Sequence, residues 1–225
     1  MKSSLSCENL NKYLMKQIQL FFPDDNELNS LFKIVEEALE KLEFNFKHIA
    51  LKHYYKDQEL YFNHLNADQY TVFIYYASYI AYKKYDNVII ATKLFYLNKT
   101  LHQFHCMYNT ELPDIFVLIH GTGIVLGKAQ YSNYLVISQH CTIGANEKVE
   151  YPFIEENVII YPNSSIIGAT RIGENSCVSH GTFINNEVIK KRSLIIGKSP
   201  NLIIKNDLKE RFNYFFIKSK NIDEK

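Results

Sequence analysis

The sequence predicts an α+β fold, with an N-terminal α-helical domain followed by a C-terminal left-handed parallel β-helix of hexapeptide repeats. Three observations point there. Aliphatic residues recur every six positions at Ile154, Ile160, Ile166, Ile172, Val178 and Ile184. All eight glycines lie after residue 120 and four of the five prolines after residue 112. Before that shift in composition, apolar residues follow helical spacing. The expected division is residues 1–108 for the helical domain, 109–205 for the β-helix and 206–225 for a C-terminal tail.

In the helical half, Asp24-Asp25 suits an N-cap before Leu28, Leu31, Phe32, Val35, Ala38, Leu39 and Leu42, which sit at i, i+3, i+4, i+7 spacing. A second helix is expected from Ala67 to Lys84 after a cap at Asn66, and a third from Asn87 to about His105. The second carries Tyr70, Phe73, Tyr75, Tyr76, Tyr79 and Tyr82 on several faces. A helix apolar all round is buried, either in the domain core or against another subunit.

In the second half, a six-residue unit is one short strand plus one corner, and three units close one triangular coil. The large aliphatic residue of each unit points inward and stacks on its counterpart a coil away. Four residues after each come Val158, Ser164, Thr170, Ser176, Thr182 and Val188, small or β-branched side chains also expected to point in. Coils stack at about 4.8 Å and protect one another's backbone edges. Ordinary two-residue alternation does not produce six aliphatic hits at period six. An earlier, less regular run holds Leu126, Tyr131, Ile137 and Ile143, and Ala145 to Pro152 breaks the rhythm, so that stretch is expected to loop out of the wall.

Bulk properties narrow the classes. The 225 residues are 47% hydrophobic with a net charge of +1, so neither a basic stripe nor an acidic tail points to nucleic acid or a membrane surface. The most apolar stretch, Val72 to Tyr82, is too short to span a bilayer. Cys7, Cys106, Cys141 and Cys177 form neither a zinc pattern nor a disulfide framework, which fits a reducing cytoplasm. His102 and His105 lie three apart, but no third histidine is placed in the coils as the metal-dependent hexapeptide carbonic anhydrases require, so no metal is expected.

Two runs bear on chemistry. One is His120-Gly121-Thr122-Gly123-Ile124-Val125-Leu126-Gly127, and further on comes Gln139 to Gly144 (QHCTIG). With Ile195 to Lys205 (IIGKSPNLIIK), these resemble the signature segments of the serine acetyltransferases, hexapeptide-repeat acyltransferases with a helical N-terminal domain. The resemblance covers roughly residues 100–205 and is only architectural before them. It implies acetyl-CoA as co-substrate, a small-molecule acceptor, and a homotrimer or two trimers joined through the N-terminal helices. It makes His120 the general base, a task suited to an imidazole. It places Gly144, Ala145, Pro162, His180, Gly181 and Lys198 along the cofactor groove.

The acceptor half departs from the family. Where the family has aspartate before the catalytic histidine, this chain has Ile119, and where it has arginine-histidine-proline, this chain has Glu150-Tyr151-Pro152. The aspartate that orients the histidine falls on His105, with Asp114 or Glu111 as substitutes if the first coil is shifted. A zwitterion needs a carboxylate and a cation, so the sequence favours a neutral acceptor, a sugar or nucleotide sugar of surface polysaccharide synthesis, contacted by Ile119, Glu150 and Tyr151. The alternatives are serine O-acetylation, sugar N-acetylation and an inactive β-helix scaffold. Asn221 to Lys225 does not match the isoleucine-ended tail with which the family docks a partner enzyme.

Overall fold

The computed structural model describes residues 1–207, 209 and 212–217; Asn221 to Lys225 lie outside the described residues. Four helices come first: α1 (Cys7–Phe21), α2 (Leu31–Phe46), α3 (Ala67–Lys83) and α4 (Val88–His102). The sequence reading missed α1, although its buried Leu10, Leu14 and Ile18 repeat every four residues and Ser6 caps it by accepting from the Asn9 N–H. It placed the start of α2 too early. Asp24 instead pairs with Lys93 of α4, and the helix begins after Ser30. The other two starts match, with Asn66 and Asn87 each accepting from the amide three residues on. Gln103, at φ 54, ends α4 three residues before the expected His105.

Within one chain, α3 is core: Tyr70, Phe73, Tyr75 and Tyr76 are buried, packed by α2, α4 and Phe116 of the first coil. Of the two readings of its aromatic faces, the core reading holds, which removes one motive for joining two trimers through this helix. A three-stranded sheet of Lys2–Ser3, Glu59–Phe62 and Tyr55–Lys56, not anticipated, borders the helices.

From Phe104 the chain is a parallel solenoid of five coils. Its first wall stacks Phe116–Ile119, Leu135–Ser138, Ile159–Ile160, Cys177–Val178 and Leu194–Lys198. The second stacks Phe104–Cys106, Ile124–Leu126, Thr142–Gly144, Ser165–Ile167 and Phe183–Asn185. The third stacks Gln130–Tyr131, Phe153–Ile154, Arg171–Ile172 and Val188–Ile189. The six aliphatic residues of the repeat are all fully buried, as are Ser164, Thr170, Ser176 and Thr182 four places on. Their hydroxyls donate to corner carbonyls, as Ser164 does to Tyr161 O and Ser179 O, both at 2.8 Å.

The inward register breaks once. The next buried aliphatic, Ile189, follows Ile184 after a step of five positions rather than six, so Val188, expected inside, is 76% exposed. The last strand turns back as an antiparallel hairpin with Asn201–Lys205. Residues 215–217 return to the helical domain: Ala50 N–H donates to Phe215 O and Ile217 N–H to His48 O, both at 2.8 Å, with Phe216 buried against Tyr134. Among the described residues no helix is long and apolar enough to cross a membrane, and no disulfide joins the four cysteines.

Candidate active site

The solenoid's corners force backbone into the left-handed region, and the corner between the first and second walls puts His120 (φ 53) and His140 (φ 57) there. Histidine tolerates this better than most residues, though it stays uncommon outside glycine. After His120 the chain turns tightly, Thr122 N–H donating to His120 O at 2.6 Å. Gly123, at φ 66, lies under the His140 imidazole, where a Cβ would collide with the ring. His140 N–H in turn donates to Thr122 O at 2.9 Å, binding this corner to the one above.

The helical domain completes the turn. Asp68, in the first turn of α3, accepts through one oxygen from the His120 N–H at 3.0 Å and through the other from the Gly121 N–H at 2.7 Å. Asp68 and His120 then line one cleft of about 410 Å³, with Asn66, Leu101, His102 and Thr122. Burial pushes the His102 imidazole down to about 4, so it is neutral at physiological pH. The sequence reading missed Asn66 and Asp68 as site residues, and weighed His102 only as a metal ligand. An acid one turn into a helix signals only a good helix start, and nothing in the sequence brings residue 68 to residue 120, 52 positions away.

The expected cofactor residues divide between two corners. Pro162, the pair His180-Gly181, and Lys198 share the His120 corner on three successive coils: Gly181 N–H donates to Pro162 O at 2.9 Å, the His180 and Tyr161 rings stack at 5.0 Å, and Lys198 pairs with Phe183. Gly144 and Ala145 lie across the second wall, at the next corner. Where a Cβ would project from Gly144 or Gly181 there is open space, and Val125 and Phe183 are exposed on the wall between.

The expected acceptor residues do not meet His120 within one chain. Glu150 and Tyr151 ride the extruded loop at the Gly144 corner, where Asn146 ties Glu150 and, at 3.0 Å, Asn186 of the coil above. Ile119 packs against the core. Neither His105 nor Asp114, the first choices to orient His120, is hydrogen-bonded to its side chain. Asp114 sits before the opposite end of the Phe116–Ile119 strand, about 20 Å along the chain from His120 at strand rise, where it pairs with Lys41 at 2.8 Å. His105 pairs with Val125 in the second wall and packs its ring on Phe95 at 5.2 Å. Its imidazole is held below the usual range by burial and then by Lys99. Among the described residues no group of three or more His, Cys, Asp or Glu is placed to hold a metal.

Comparison with known proteins agrees with this architecture. The family model "Bacterial transferase hexapeptide (six repeats)" matches residues 151–186. The serine acetyltransferase of Bacillus subtilis is 25% identical over 100 residues, 43% of this chain and 46% of that protein. That of Synechococcus elongatus is 26% identical over 104 residues, 44% of this chain and 43% of that protein. The chain thus matches less than half the length of these curated relatives. In fold the likeness is broader. The crystal structure of Neisseria gonorrhoeae serine acetyltransferase superposes with a TM-score of 0.67 at 19% identity, over 93% of this chain and 83% of that one. The Brucella abortus enzyme in complex with coenzyme A gives 0.66 at 16% identity, over 89% and 83%. The chain is serine acetyltransferase-like in its repeats and in its fold.

Proposed function

We propose that the protein is an acetyl-CoA-dependent O-acetyltransferase with His120 as general base, and that its acceptor is a small hydroxyl compound carrying an ammonium group, L-serine above all. The observation that carries this reading is the shared cleft of His120 and Asp68. His120 takes the hydroxyl proton as the oxygen attacks the thioester carbonyl, and the same proton leaves with the coenzyme A thiolate when the tetrahedral species collapses. Asp68 supplies the anion that an ammonium group requires and that Ile119 denies. Its two oxygens each accept one backbone N–H and keep capacity for a further donor.

For acetyl-CoA, the second wall between the Gly181 and Gly144 corners offers the fit: bare glycine edges, exposed apolar Val125 and Phe183, and the exposed Lys198 ammonium for a phosphate. The solved structure of a Brucella abortus relative with coenzyme A supports this choice of donor, and the curated serine acetyltransferases support serine over a sugar. The neutral sugar acceptor favoured by the sequence keeps one argument: no lysine or arginine lines the His120 cleft among the described residues.

A homotrimer reconciles the two corners, because a neighbouring copy can bring its Glu150-Tyr151 loop to the His120 corner. Light scattering at micromolar protein should return three times the 26.4 kDa chain mass or its double, and a monomer mass would sink the assembly. The reaction itself is tested by free-thiol release from acetyl-CoA with L-serine, amino sugars and nucleotide sugars. Serine should be turned over best. Robust turnover of sugars alone would overturn the acceptor reading.

A further inference from the structure

We infer that His102 is an acceptor-binding residue, whose bare Nε2 takes a hydrogen bond from a donor group of the acceptor beside Asp68. This rests on the proposed acetyl transfer and deepens it by assigning a second recognition group in the helical half of the chain.

The inference follows from a hydrogen-bond chain that leaves the imidazole no choice of tautomer. Asn98, one turn before His102 on α4, donates through Nδ2 to Thr71 O at 2.9 Å. Its amide is thereby oriented, and Oδ1 faces His102 Nδ1 at 2.8 Å. An amide oxygen only accepts, so Nδ1 carries the proton and Nε2 is left as a lone-pair acceptor. Tyr70 holds the ring edge-on at 5.8 Å between centroids. Among the described residues Nε2 has no hydrogen-bond partner, and the residue as a whole is only partly buried. The residue borders the cleft of His120 and Asp68. A partly buried imidazole depressed to about 4 is a weak base, so proton abstraction stays with His120 and His102 serves recognition.

The cleft therefore offers two acceptors of different charge, the Asp68 carboxylate and a neutral imidazole nitrogen. That pair suits an ammonium group, which has three donors and no acceptor. An acceptor with a single donor leaves one of the two unmatched, and such mismatches separate substrates strongly.

The test combines kinetics with the state of the ring. His102→Phe keeps an aromatic ring against Tyr70 and removes Nε2. It should raise KM for L-serine about 10- to 100-fold, as for a lost hydrogen bond to a charged group, with kcat and KM for acetyl-CoA at wild-type values. In wild-type protein carrying nitrogen-15 histidine, long-range proton–nitrogen spectra should show His102 protonated at Nδ1 and bare at Nε2. Adding L-serine should move Nε2 toward the hydrogen-bonded range.

A purely structural role would lower melting temperature and kcat together and leave Nε2 unmoved by serine. Either an unmoved Nε2 or an Nε2-protonated ring overturns the inference, even if the variant fails to fold. If wild type acetylates a sugar and not serine, the acceptor reading falls and that sugar becomes the titrant. A shifted Nε2 then sustains the role of His102 and an unshifted one ends it. Transfer to no acceptor overturns both.

Discussion

Asp68 receives the backbone N–H groups of His120 and Gly121 on its two carboxylate oxygens, at 3.0 and 2.7 Å, so the start of α3 holds the His120 corner of the solenoid. Asp68→Asn keeps one acceptor but sets an NH₂ group against a backbone N–H. Each hydrogen bond to a charged group is worth about 1.5–3 kcal/mol. We expect a lower melting temperature and a loss of acetyl transfer of about 10²-fold or more, measured by thiol release. Wild-type stability with wild-type rate would remove Asp68 from the site.

His120→Ala should reduce transfer by about 10²–10⁴-fold while acetyl-CoA affinity, followed by calorimetric titration, stays close to wild type. The division follows from the placement of Pro162, His180, Gly181 and Lys198 on coils above His120. Undiminished transfer would end the assignment of His120.

Gly123→Ala meets two obstacles, the left-handed φ of 66 and the His140 ring where the new Cβ would go. The backbone alone costs about 1–2 kcal/mol. The double variant Gly123→Ala/His140→Ala should regain the steric share and retain the backbone share. Chemical denaturation of the four proteins in the cycle separates them, and no recovery in the double variant would show that the ring yields without cost.

How far the sequence reaches differs between the two halves. Period six made the solenoid legible because one residue type, a buried aliphatic, recurs at one angular position, and Ile154 to Ile184 all lie inside. Val188 failed where five residues replaced six, a slip visible only if Ile189 is taken as the anchor. That His120, Pro162, His180 and Gly181 fall at corners of the coils could be read from the repeat and its flanking motifs. The placement of Asp68 and His102 could not, since they reach the cleft by the packing of α3 and α4 against the first coil. The same solenoid explains why Ile166→Asp should be severe, several kcal/mol for a carboxylate among aliphatic side chains, whereas Lys148→Ala on the exposed loop should be neutral. Equal melting temperatures for the two variants would refute the inward register.

Acid should weaken the fold through His102. Its folded pKa, about 4, lies below the ordinary imidazole value of about 6.5, so the unfolded chain binds the proton first. The stability is full above about pH 6.5 and is lost as pH falls toward about 4, roughly 3 kcal/mol over the whole window. His64 and His105, also depressed by burial, act in the same direction. Denaturation midpoints at pH 7 and pH 5 should differ less in His102→Phe than in wild type, and an equal difference would contradict the buried neutral ring.

Repeat arrays that touch only their neighbours can unravel from an end, one unit at a time. Here the segment at Phe215–Ile217, which follows the topmost hairpin, is bonded to His48 and Ala50 beside the lowest coils. A pull on the last coil is thus carried to the helices without passing through the intervening coils. The array behaves as a buckled belt rather than a loose stack, and its opening should be a single event that begins when Phe216 leaves Tyr134.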